Sequence, residues 1–160
     1  MKPIVTAVAA ALAIALVLPG LTFAQARPNF SGTWTLDTAK SAVGGPAGAS
    51  AAARPVVLVI TQTAALMTVE RRAGDRSDVA TVKLDGTESV NKTPSGADVK
   101  STAKWVGATL VTHATMTVGD MTTESTDVRS LSPDGKVMTI ESTQLMAGRQ
   151  VKRTLIYNKQ

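Results

Sequence analysis

The chain has 160 residues, 17 basic against 12 acidic side chains for a formal charge of +5, one histidine and no cysteine. That length suits one domain, and without a disulfide it must be held by core and strand pairing alone. One histidine and no cysteine exclude an ordinary zinc site, and scattered basic residues with few aromatics exclude a sheet-based nucleic-acid binder, which needs a basic groove and stacking platforms.

Residues 1–26 read as a secretory signal. Lys2 gives a positive start, Ile4 to Leu18 is uncharged and apolar, Pro19-Gly20 breaks the run, and Ala24-Gln25-Ala26 supplies a small-x-small cleavage pattern. An uncleaved membrane anchor would require a span that tolerates Pro19-Gly20. The expectation is therefore a cleaved signal and an exported chain, periplasmic or extracellular, whose single domain at 27–160 is not embedded in a membrane.

The first strand is expected over 28–37, with Trp34 and Leu36 on one face and Thr33 and Thr35 on the other. Residues 39–54 are rich in Ala and Gly and contain Pro46, which predicts a flexible loop. Pro55 then opens a β-branched apolar run at 56–63. Further strands are predicted at 66–72, 79–84, 88–92, 99–105, 109–118, 121–131, 136–145 and 149–158. Ala64-Ala65, Gly74-Asp75, Asp85-Gly86, Pro94-Ser95-Gly96, Gly107, Gly119-Asp120, Pro133-Asp134-Gly135 and Ala147-Gly148 separate them. Turns every ten residues or so describe consecutive hairpins. No stretch after the signal offers a helix long enough to be a parallel crossover. The fold class is thus all-β, an antiparallel up-and-down meander of roughly eight to ten strands, and a sheet of that length closes on itself to remove its edges.

On the last strand Val151, Arg153, Leu155 and Tyr157 share a face. If Leu155 and Tyr157 point inward, so does Arg153, and a buried arginine needs a partner. Trp34 offers one by stacking, should closure bring the first and last strands together.

Gly32-x-Trp34 on the first strand, the run of hairpins and a basic residue on the last strand resemble the calycin superfamily, the lipocalins and fatty-acid-binding proteins. Phe30-Ser31-Gly32-Thr33-Trp34, Leu36-Asp37, Lys40-Ser41 and Leu131-Ser132-x-Asp134-Gly135-Lys136 resemble small exported bacterial lipocalin-like proteins more closely. The resemblance implies a lipocalin-like barrel, with Gly32 and Trp34 at its end and Arg153 as the stacking partner. It also implies a cup for a small apolar molecule.

No catalytic residue emerges. His113 falls on the strand face opposite Leu110, Thr112, Ala114 and Met116 if counted with Val111 and Thr115, and so is expected at the surface. Asp75 and Asp78 supply too few oxygens for calcium. An outer-membrane barrel would need aromatic girdles that this composition lacks. The binding hypothesis rests on the inward-facing set. Val99, Trp105, Leu110, Met116, Leu155 and Tyr157 are the expected walls, and Ser101, Thr112 and Arg153 the polar handles. The expected function is non-enzymatic binding of a small apolar or amphipathic ligand, with no metal or cofactor. The alternative is a filled barrel whose surface binds another protein as an envelope accessory or inhibitor.

Overall fold

A computed structural model describes residues 27–43 and 55–160. The signal expected at 1–26 and most of the loop expected at 39–54 lie outside the described residues. The described chain is all strand and turn: β1 (Gly32–Leu36), β2 (Ala42–Val43), β3 (Val56–Gln62), β4 (Leu66–Ala73), β5 (Arg76–Lys83) and β6 (Ser89–Lys92), then β7 (Asp98–Val106), β8 (Thr109–Val118), β9 (Met121–Leu131), β10 (Val137–Met146) and β11 (Arg149–Lys159). All pairings are antiparallel, in the order β5-β4-β3-β1-β11-β10-β9-β8-β7-β6, with β2 added beside β11. The first and last strands are neighbours, Trp34 lying opposite Lys159. Ten strands form the meander and the barrel is nearly closed, as the hairpin spacing requires.

Closure at the β5–β6 seam is made by side chains. The Thr81 N–H donates to Asn91 Oδ1 at 2.8 Å, and Asn91 Nδ2 donates to the Thr81 carbonyl at 3.0 Å. The Lys83 N–H donates to Ser89 Oγ at 3.0 Å. The Asn91 amide thus does the work of a missing backbone pair, since it carries both a donor and an acceptor. Asn91→Leu is expected to cost about 1–3 kcal/mol, the loss of two such bonds with backbone groups left wanting. Urea unfolding measures the cost, and faster hydrogen exchange confined to Thr81 and its neighbours identifies the seam as its source.

Three details differ from the expected elements. The first strand begins at Gly32, not at residue 28. Gly32 sits at φ +137°, a backbone conformation that side chains rarely adopt, and it turns the preceding segment across the barrel end. There the Phe30 N–H donates to Gln62 Oε1, and Gln62 Nε2 donates to the Pro28 carbonyl. Second, β5 starts at Arg76, because Gly74 at φ +61° closes the hairpin in two residues. Third, Ala42–Val43 leave the expected loop to pair with Thr154 and Arg153.

The core gathers at one end of the barrel. Phe30, Trp34, Met67, Leu110 and Met138 are fully buried there. Phe30 stacks on Trp105 with ring centres 5.9 Å apart, and Trp34 Nε1 donates to the Phe30 carbonyl at 2.8 Å. The other end, where the β8–β9 and β10–β11 hairpins turn, is exposed. Val118, Met121, Leu145 and Met146 all face solvent at these tips.

Candidate functional site

Strand alternation places every second side chain inside. The ladders then set the inward residues in rows. Thr112 lies opposite Asp127, Asp127 opposite Ser142, and Ser142 opposite Arg153. One row nearer the plugged end, Leu110 lies opposite Arg129, Arg129 opposite Ile140, and Ile140 opposite Leu155. Across the barrel, Leu58, Arg71 and Asp78 form a matching row.

From these rows Thr112, Asp127, Arg129, Ile140 and Leu155 on one side and Leu58, Arg71 and Asp78 on the other line a cavity of about 470 Å³. Its walls are mainly apolar, including Leu58, Met67, Val69, Val82, Ile140 and Leu155. Its polar groups are few and grouped. Arg129 Nη1 donates to Thr112 Oγ1 at 3.0 Å, and Nη2 donates to Asp127 Oδ2 at 3.1 Å. The Arg129 side chain is 12% exposed and that of Asp127 28%. Arg129 Nε is buried without a hydrogen-bond partner. A second cation, Arg71, lies 3.9 Å from Asp78. Burial pushes the Tyr157 phenol above its ordinary range; Arg71 and Arg129 pull it back, and Asp127 adds to the rise.

Of the residues expected to line a cavity, Val99, Ser101, Thr112, Leu155 and Tyr157 do so. Leu110 is instead fully buried in the core. Trp105 lies under Phe30 and lines a smaller cavity of about 360 Å³ at the plugged end, with the Arg27 guanidinium 5.8 Å from its ring centre. Met116 lies on the inward face, opposite Val99 and Thr123, but outside the cavity wall.

Arg153 requires a correction. It shares the inward face with Leu155, but it lies level with Ser142 toward the open rim and is exposed. It is not the partner of Trp34. That place belongs to Lys159, whose Nζ sits 5.2 Å from the Trp34 ring centre. The antiparallel register decides this: Lys159 is opposite Trp34, and Arg153 is six residues away, roughly 20 Å along an extended strand. Lys159 also packs over Gly32, where an added Cβ would meet its Cε at 2.8 Å. Gly32 and Trp34 do sit at the barrel end, with Trp34 wholly buried.

The residues that sequence reasoning missed are Arg129, Asp127, Arg71, Asp78 and Asn91. His113 is exposed on the outer face, with Nδ1 2.9 Å from Thr126 Oγ1. Among the described residues no group of three or more His, Asp or Glu side chains is placed to hold a metal ion. Nor is any helix among them long and apolar enough to cross a membrane.

No protein-family model matches the chain, and no curated protein matches it in sequence. Solved structures do match in fold. A Schistosoma mansoni fatty acid binding protein in complex with arachidonic acid aligns at TM-score 0.53 and 22% identity, covering 82% of this chain and 96% of that one. A fatty acid transporter, REP1-NXSQ, aligns at TM-score 0.57 and 16% identity with the same coverage. Echinococcus granulosus fatty-acid-binding protein 1 aligns at TM-score 0.56 and 16% identity, covering 81% and 96%. The likeness is one of fold, a nearly closed, calycin-like antiparallel barrel.

Proposed function

We propose that this chain is an exported, non-enzymatic carrier in the cell envelope that holds one small apolar or amphipathic molecule inside the barrel. The observation that carries the reading is the cavity itself, about 470 Å³ with apolar walls and one compact polar cluster around Arg129. Small-molecule sites are built that way, with many apolar walls for affinity and few polar groups for orientation. The neighbours in fold are described as binding or transporting fatty acids, which supports the same reading. The apolar run and cleavage pattern at 1–26 support export.

The test is uptake of an uncharged environment-sensitive dye, Nile red, by the delipidated protein. One dye per chain is expected, with dissociation in the micromolar range, on the order of −8 kcal/mol. Ala114→Trp, which puts an indole into the cavity wall, is expected to abolish uptake. Dye binding that ignores this substitution, or no binding at all, would overturn the carrier reading.

A second reading has one observation in its favour. Val118, Met121, Leu145 and Met146 are exposed together on two adjacent hairpin tips, and grouped apolar residues of this kind mark interaction surfaces. A protein partner held there would bind the Ala114→Trp variant as well as the parent.

A further inference from the structure

We infer that the cavity selects an uncharged, hydroxyl-bearing head group and disfavours a carboxylate anion; this deepens the carrier reading and rests on it. Three cations border the cavity, and each already has a carboxylate. Arg129 is held by Asp127 at 3.1 Å, Arg71 faces Asp78 at 3.9 Å, and Lys92 is held by Asp98 at 2.6 Å. Asp127 and Asp78 themselves line the cavity. The charge inside is thus balanced by the chain's own residues before any ligand enters.

Arg129 is the deepest of the three cations. A guanidinium binds a carboxylate best through two parallel N–H groups. Here one terminal nitrogen is engaged by Thr112 Oγ1 and the other by Asp127 Oδ2. An incoming carboxylate would have to displace Asp127 or settle beside it, and two like charges around one half-buried guanidinium repel. A ligand hydroxyl meets no such conflict. Each terminal nitrogen of Arg129 keeps a second N–H, and an ionised Asp127 accepts at more than one lone pair. A hydroxyl therefore accepts from the guanidinium and donates to the carboxylate at once. Ser101 and Tyr157 line the same cavity and add hydroxyls without adding charge at neutral pH. The Asn91 amide is committed to the Thr81 backbone and takes no part. The ligand class is a long-chain alcohol or a partial glyceride.

The experiment is displacement of Nile red at pH 8 by three ligands that share one chain length: dodecanol, monolaurin and laurate. The parent protein is expected to release dye to dodecanol and monolaurin at concentrations at least tenfold lower than to laurate. Asp127→Asn removes the resident anion and keeps the shape, so it is expected to improve laurate binding about tenfold with little change for dodecanol. Asp78→Asn, nearer the exposed rim, is expected to shift the same ratio in the same direction by less, and it serves if the first variant does not fold. Laurate binding as tightly as dodecanol, or a ratio that neither substitution moves, would overturn the inference and leave the carrier reading standing. A protein that takes up no Nile red would instead overturn the carrier reading beneath it.

Discussion

Trp34→Ala is expected to lower folding stability by about 3–5 kcal/mol, as for other wholly buried aromatic residues. Trp34 is 0% exposed and lies opposite Leu58 on one side and Lys159 on the other, so it joins the strands that flank the chain's two ends. Truncation would leave a cavity in the buried cluster that holds Phe30, Leu58 and Met138. It would also remove the donor that satisfies the Phe30 carbonyl, and a buried acceptor without a partner adds its own cost. Phe30 and Trp105 stack just beside this point, so the plug as a whole should loosen. Urea unfolding followed by far-ultraviolet circular dichroism reads the change without relying on the indole removed. A loss below about 1 kcal/mol would mean that the ring is dispensable and that the barrel end is held by something other than Trp34.

The strands were legible because their turns are. Gly-Asp, Asp-Gly and Pro-Asp-Gly steps at regular spacing leave little freedom where the described residues form only strands and turns. The interior was legible only in part, because alternation tells which face a residue is on and not how far along the barrel it lies. Arg153 shows the difference: its face was right, and its depth put it at the open rim. Lys159 shows the complement. Its contact with Trp34 depends on the register of β1 against β11, two strands separated by nearly the whole chain and joined by no hairpin. Local pattern cannot set such a register.

Arg129 and Asp127 are a different case, because their placement follows from one short turn. Gly119-Asp120 closes β8 on β9 in two residues, so Val118 pairs with Met121. Counting back in step sets Thr112 opposite Asp127 and Leu110 opposite Arg129. Once Leu110 and Thr112 are read as inward, both charged residues must be inward too. Phe30 had no comparable signal. Its role depends on the Gly32 backbone turning the segment across the barrel end, and on Gln62 side-chain bonds that reach over thirty residues.

The inward ion pair also sets the second large effect. Arg129→Leu removes the cation and leaves the Asp127 carboxylate facing an apolar cavity. Breaking a fully buried pair costs about 3–5 kcal/mol. Asp127 retains 28% exposure, so water relieves part of that cost, and a loss of about 2–3 kcal/mol is expected. The double replacement Asp127→Leu with Arg129→Leu removes both charges, and most of the lost stability should return, because an apolar pair of similar volume often matches a buried ion pair. Thr112 loses its donor in both variants, so that contribution cancels in the comparison. Urea unfolding of the two single variants, the double variant and the parent closes the cycle. A double variant as unstable as Arg129→Leu would show that the guanidinium matters through packing alone. A restored double variant that still takes up Nile red but no longer prefers dodecanol to laurate beyond the difference in their hydrophobicity would assign to the pair the recognition of the head group, and to the apolar walls the affinity.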